Sequence, residues 1–326
     1  MSIHAPISAS RLQRVMLCKG SYQMELGMPN KTNVHAQRGT DCHAMAEKLY
    51  HGIEVKTDDT EALQWATDYV AYVKAIGGQQ HIEINLTGPL QQVHELLGGT
   101  ADAIIFKDDE LHVVDLKSGR GKVNVTSPQL KCYALGAWLW AGRPNVTVKA
   151  HIWCPHYAIQ EPAQYSVADL EAFINELQQL VEDALDPFVE VTPSYEACRY
   201  CLAKTVCPSM KDLAVKTAQA DFNLQTDMSD LPELLDTAEM LEGWINSVRE
   251  SAKDLLSTGA FIQGWELSQG RKMSKIRNET EVIAHFEGNQ RLYTLKSLTQ
   301  LKKDGFDVPK EYIEESLSAS SLKRSK

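Results

Sequence analysis

The stretch GGTADAIIFKDDELHVVDLKSG, residues 98–119, sets two apolar segments on either side of the polar run Lys107-Asp108-Asp109-Glu110. With Asp108-Asp109 as a two-residue hairpin loop, Ile104 pairs with Val113, Phe106 with Leu111, and Asp102 falls directly opposite Asp115. Lys117, two residues past Asp115, shares its face, while Ala103, Ile105, Val114 and Leu116 make up the other. Both faces read as buried, as in central strands covered on two sides. Two carboxylates facing each other there repel, by about 0.2–1 kcal/mol even at exposed sites and by more in a dry core. They need counter-charge. Lys117 supplies one positive charge and a divalent cation would supply two more; hard oxygen ligands on a rigid hairpin suit Mg²⁺ or Mn²⁺. A buried Asp–Lys salt bridge with Asp102 in a turn accounts for the same residues without a metal.

Outward from the hairpin, helical and strand-like patterns alternate. Residues 8–52 read as two helices, the first capped by Ser8 or Ser10 and the second over Gln37–Tyr50. A helix over Thr60–Ile76 stops at Gly77-Gly78. Strands are expected at His81–Leu86, Thr100–Phe106, Leu111–Lys117 and Val146–Trp153, with helices over Thr126–Trp140 and Val167–Leu185. This order predicts an α/β sandwich. Beyond Lys211 the character changes: Leu231, Leu234, Leu235, Ala238, Leu241, Ile245, Val248, Ala252 and Leu255 recur at helical spacing. A short strand bracketed by Gly264 and Gly270, two or three short helices and a Ser/Lys-rich tail follow. The expected division is residues 1–212 and a mainly helical C-terminal region, residues 213–326.

Residues around the hairpin add chemistry. Gly39-Thr40-Asp41-Cys42-His43 opens a helix on which His43 and Glu47 share a face, and Gln129 and Tyr133 share one on the helix after the hairpin. In this order, Gly39 with His43, Gly99 with Asp102, Asp115 with Lys117, and Gln129 with Tyr133 resemble the motifs of the RecB-type nucleases of the PD-(D/E)xK superfamily. The resemblance implies a restriction-endonuclease-like mixed sheet flanked by helices. It implies that His43, Asp102, Asp115 and the carbonyl of Leu116 bind a catalytic Mg²⁺ or Mn²⁺. Lys117 would position or deprotonate the attacking water and stabilise charge on the phosphate, and Gln129 and Tyr133 would contact DNA or support the motif. Glu47 and Glu83 are candidates for the metal's outer surroundings.

Cys198, Cys201 and Cys207 follow the core in a C-x2-C-x5-C pattern, and Cys18 lies far upstream. Structural zinc sites show two compact pairs, and here there is one. Several RecB-like nucleases have a similar arrangement, in which one N-terminal and three C-terminal cysteines ligate a [4Fe–4S] cluster that closes the domain. That resemblance implies Cys18, Cys198, Cys201 and Cys207 as ligands, in preference to zinc, and leaves Cys42, Cys132 and Cys154 as bystanders. A phage-associated group shares the Ser-rich helix into Cys18, Arg38-Gly39-Thr40, the Ser118-Gly119-Arg120-Gly121 run after Lys117, and Gly264-Trp265-Glu266-Leu267. Lys19 departs from its usual Pro.

The implied activity is metal-dependent hydrolysis of DNA phosphodiesters, as an exonuclease in phage or mobile-element recombination or replication. Its partners would be DNA and a single-strand annealing or binding protein. The alternative is a non-catalytic DNA-binding or recombination partner that retains the nuclease fold. Gly119-Arg120-Gly121-Lys122 is not a P-loop, because the leading Gly is missing and Val123 replaces Ser/Thr.

The 326 residues carry 33 Lys and Arg against 43 Asp and Glu, a formal charge of −10, which argues against a protein that coats nucleic acid through bulk charge. Charge is uneven, however: residues 111–150 are net positive, residues 161–192 hold eight acidic residues and no Lys or Arg, and Arg271, Lys272, Lys275 and Arg277 form a second basic run. A positive rim beside the hairpin is what a phosphate-backbone track requires. The N-terminus lacks the apolar core of a signal peptide, no apolar run is long enough to cross a bilayer, and seven scattered cysteines form no disulfide framework. A cytoplasmic protein, in a bacterial host cell or phage-encoded, is expected.

Overall fold

The structure is a computed structural model that describes residues 5–29, 34–121, 123–219, 228–268, 272–276, 279–285, 298–303, 308–317 and 321–324. Lys122, Gly270, Arg271 and Arg277 of the sequence reading lie outside the described residues. The chain divides into two compact units, Met1–Trp244 and Ile245–Lys326.

A five-stranded mixed sheet organises the first unit. Its strands are β1 (Gln79–Asn85), β2 (Thr100–Lys107), β3 (Glu110–Leu116), β4 (Thr147–Trp153) and β5 (Ala163–Tyr165), lying side by side in that order. All neighbours are antiparallel except β3 and β4, which are parallel and joined through helix α5 (Pro128–Trp140). The hairpin register is as expected, from Lys107 opposite Glu110 to Ala103 opposite Val114. β2 and β3 are interior strands, which is why both of their faces are apolar.

Helices cover each face. On one, Leu111, Val113, Val148 and Ile152 pack with Leu12 of α1 (Ala9–Leu17), Trp138 of α5, and Phe173 and Leu177 of α6 (Val167–Leu185). On the other, Ala103, Ile105, Val114 and Leu116 meet Cys42 of α3 (Val34–Tyr50) and Ala62, Tyr69 and Val73 of α4 (Thr60–Ile76). Burying each large side chain of this kind is worth about 1.5–3 kcal/mol. α5 is buried nearly all round, from Cys132 to Leu139, so its apolar character has no single stripe.

Local chemistry sets the boundaries. Asp59 caps α4 by accepting from the Ala62 N–H, and Ser166 and Asp169 form a reciprocal capping box on α6. α4 ends at Gly77, and both Gly77 and Gly78 have positive φ; a Cβ on Gly78 would collide with the Phe106 carbonyl oxygen. The N-terminal segment differs from expectation. Three helices occupy it, because the chain breaks at Cys18 before α2 (Gly20–Glu25), and Ser8 bonds Ser10 instead of capping α1. Thr87–Gln91 adds a helical turn, and Ile7–Ser8 pairs with Leu97–Gly98 in parallel. No helix among the described residues is long and apolar enough to cross a membrane.

In the second unit, strand Trp265–Ser268 pairs with Ser321–Arg324, and Lys272–Ile276 with Ile313–Leu317, both antiparallel. Val282, Leu301 and Val308 form a small core beside them. Ser321–Arg324 is thus a paired strand where the sequence reads as a polar tail.

Candidate metal centre

The ladder between β1 and β2 runs on both sides of one missing pair. Ile82 pairs with Ala103 and Ile84 with Ala101, but Glu83 and Asp102, which that register sets opposite each other, do not pair. Glu83 has φ +51, a left-handed conformation unusual outside glycine. The twist reverses the faces locally: Ile82 packs into the core under α3 and α4, and Ile84 into the opposite one. Ala103 and Ala101 divide in the same way. Both carboxylates therefore leave the ladder at the seam between the two cores, and such strain is commonly stored at functional sites.

Asp102 retains 11% side-chain exposure and lies with one oxygen 3.2 Å from His43 Nδ1 on α3. Its other oxygen accepts the Leu116 N–H at 2.6 Å. This bond explains why the hairpin ladder stops at Ala103, so Asp102 and Asp115 are not a ladder pair as expected. Of Leu116, it is the N–H that the structure engages. One ligand atom each from His43, Glu83 and Asp102 lies within 4.8 Å of the others, a constellation that could hold a metal ion. Glu83, read from sequence as an outer residue, belongs to this inner group. Glu47 does not, although its charge adds to the effect on Glu83.

Asp115 lies outside that triad. It is 3% exposed and engaged by Lys117, whose Nζ donates to Oδ1 at 3.1 Å and sits 2.9 Å from Oδ2. The alternative of a buried Asp–Lys salt bridge is therefore present in the structure, alongside the triad and not instead of it.

The electrostatics show an excess of negative charge. Burial pushes Glu83 up to about 7, reinforced by Asp102 and opposed by His43. Burial also raises Asp115, with Lys117 opposing and Asp102 reinforcing. Burial alone would lower His43 and Lys117, but the surrounding carboxylates hold both above their ordinary values. Fully ionised, Glu83, Asp102 and Asp115 would exceed Lys117 by two charges, which one divalent cation would balance.

α5 backs the site. Gln129 donates to the Tyr133 hydroxyl at 3.2 Å, and the Tyr133 ring lies where a Cβ on Gly99 would come within 3.0 Å. Only glycine fits there without displacing that ring, which accounts for the Gly at the start of the Asp102 segment. Tyr133 is 8% exposed, and its ring packs against the start of the strand carrying Asp102.

The four cysteines singled out by spacing converge elsewhere. Cys18, Cys198, Cys201 and Cys207 line one cavity with Ser21 and Lys204. Arg14 and Glu25 hold the two chain segments together: they pair at 2.8 Å, Arg14 also donates to the Tyr200 carbonyl, and Glu25 accepts the Leu202 N–H. The Thr192 N–H donates to Cys18 Sγ at 3.3 Å. Cys42 and Cys132 are in the two cores, and Cys154 donates to the Gly119 carbonyl.

Two lysines of the positive stretch 111–150 are paired with acids outside it. Lys149 pairs with Glu110 at 2.6 Å, Lys131 with Glu176 at 3.7 Å, and Arg143 lies over Trp138. Arg120 remains exposed, beside the site.

Residues 4–320 match the family described as "Protein of unknown function (DUF2800)". The chain belongs to this family. A solved structure described as "Crystal structure of SSO0001" is similar to the DUF2800 chain at 16% identity and a TM-score of 0.32, covering 63% of this chain and 86% of that one.

Proposed function

We propose that this DUF2800 protein is a Mg²⁺- or Mn²⁺-dependent deoxyribonuclease built on a restriction-endonuclease-like, RecB-type core. The observation that carries the reading is the convergence of His43, Glu83 and Asp102 beside the Asp115–Lys117 pair, at the end of the central strands. His43, Glu83 and Asp102 would hold the cation, with Asp115, paired to Lys117, beside them. When bound there, a cation would supply Lewis-acid charge to a phosphate and would lower the pKa of a coordinated water. Lys117, held above its ordinary value by Asp115 and Asp102, would position the attacking water and offset charge growing on the phosphate. Asp102 is fixed by the Leu116 N–H, and Asp115 orients Lys117.

The same reading makes the cysteine cavity the seat of a [4Fe–4S] cluster. Cys18, Cys198, Cys201 and Cys207 line one cavity and would supply the four thiolates such a cluster takes. Its part would be to staple residue 18 to residues 198–207. The reading extends to linear DNA ends as substrate, an annealing or single-strand-binding partner, and action in the cytoplasm during phage or mobile-element recombination.

The test is Mg²⁺- or Mn²⁺-dependent cleavage of linear DNA by the purified protein, with loss of cleavage in Lys117→Ala and Asp115→Ala. Undiminished cleavage by those variants overturns the mechanism. Single- and double-stranded substrates labelled at 5′ or 3′ ends, run beside a closed circle, separate exonuclease from endonuclease action.

A further inference from the structure

The run Ser118-Gly119-Arg120-Gly121, which fails as a P-loop, follows Lys117 directly. Residues 154–160 hold it by its carbonyls. His156 Nε2 donates to the Ser118 carbonyl at 3.1 Å, Cys154 Sγ to Gly119 at 3.5 Å, the Tyr157 hydroxyl to Gly121, and Gln160 Nε2 to Val123 at 2.8 Å. In a trans peptide the C=O of one residue points opposite to the N–H of the next, and the chain has no cis peptide among the described residues. With the Ser118 and Gly119 carbonyls turned towards residues 154–160, the N–H groups of Gly119 and Arg120 point the other way.

Among the described residues neither N–H donates a hydrogen bond. Cβ positions on Gly119 and Gly121 meet nothing within 4 Å, so the approach is open. Arg120 is exposed and has no ion pair among the described residues. Ser118 Oγ lies 3.5 Å from where a Cβ on Gly39 would stand, which puts the loop against the helix that carries His43. Successive free N–H groups beside an unpaired guanidinium form an anion-binding concavity.

We propose that the Gly119 and Arg120 N–H groups and the Arg120 guanidinium bind one backbone phosphate of the DNA strand, next to the phosphate being cut. Tyr157, by holding the Gly121 carbonyl, is a positioning residue for this cradle. The proposal rests on the nuclease reading and names the strand contact that reading lacks.

The experiment measures binding of fluorescently labelled single- and double-stranded oligonucleotides by the full chain, with Ca²⁺ in place of Mg²⁺, across a salt series. Arg120→Gln should weaken binding about tenfold and reduce the slope of log K against log salt by about 1. Lys107→Gln, at the far end of the hairpin, should leave the slope unchanged. A neutral methylphosphonate at one position beside the cut should weaken wild-type binding and weaken Arg120→Gln less, because the two backbone N–H groups remain. In Mg²⁺, Tyr157→Phe should raise KM about fivefold with kcat held. Wild-type protein that cleaves DNA while Arg120→Gln keeps the full slope and the full methylphosphonate sensitivity overturns the cradle alone. Wild-type protein that neither binds nor cleaves DNA overturns the nuclease reading as well.

Discussion

Replacing Lys117 by Met removes the counter-charge from Asp115 while keeping an apolar stem of similar length. Asp115 is 3% exposed, with Oδ2 2.9 Å from the Lys117 ammonium. At an effective dielectric of about 20, unit charges at that spacing attract by about 6 kcal/mol, much of it offset by desolvation. Removing one partner of a buried pair costs about 3–5 kcal/mol, because the other charge is left alone. Protonation limits the loss. Starting from an unfolded-state pKa of about 3.9, keeping Asp115 neutral costs about 4 kcal/mol at pH 7 and about 1.5 kcal/mol at pH 5. The folded pKa of Asp115 in Lys117→Met is raised above the unfolded value, so the folded state binds the extra proton. Stability relative to wild type then falls as pH rises through this window. Urea denaturation in EDTA, followed by tryptophan fluorescence at pH 5 and pH 7, reads this directly. The double variant Asp115→Asn/Lys117→Met should recover most of the stability and none of the cleavage. A penalty under about 1 kcal/mol at pH 7, or one that does not change with pH, would refute the argument that Lys117 balances a buried charge.

Asp102→Asn and Glu83→Gln should each weaken Mn²⁺ binding about 10–100-fold in calorimetric titration, whereas Glu47→Gln should not. Under α4, His112 Nδ1 meets His151 Nε2 at 3.0 Å and Tyr72 bonds the other His151 nitrogen, while burial depresses His151 to about 4. The unfolded chain takes up a proton there near pH 6.5 and the folded one does not, so stability should fall as pH drops from about 6.5 to 4, by up to about 3 kcal/mol; His151→Gln should flatten that slope in a pH series of denaturation curves. Anaerobically purified protein should contain iron and show broad visible absorption, both lost in Cys198→Ala or Cys18→Ala and kept in Cys132→Ala; a colourless, zinc-loaded wild type would rule the cluster out. Ser166→Ala should cost about 1 kcal/mol in thermal denaturation through loss of the capping box on α6.

Legibility in the sequence followed the range of the interaction. The hairpin register from Lys107 to Ala103, the span of α4 with its Gly77 stop, and the span of α6 depend on residues a few positions apart and are legible in the sequence; the Asp59 and Ser166 caps and the release of Asp102 from the ladder are seen only in the structure. Glu83 was undervalued because its partner across the sheet is Asp102, and the pairing of β1 with β2 cannot be read from either strand alone. A lone carboxylate between Ile82 and Ile84 was the available signal. The basic stretch 111–150 looked like a track for phosphates, but Glu110 and Glu176 neutralise two of its lysines across the fold.

What the sequence determined by itself was the set of chemical groups and their order: a carboxylate hairpin with Lys117, His43 on a helix before it, and three cysteines after the core awaiting a fourth. Alternation, helix stops and turn residues are local, so the chain states them openly. The tertiary structure decided which carboxylates meet. The left-handed turn at Glu83 and the Asp102–Leu116 bond rotate two side chains out of the ladder, and three charges are left facing one ammonium. Such a choice comes from packing two cores against opposite sides of one sheet, and no stretch of residues carries it alone.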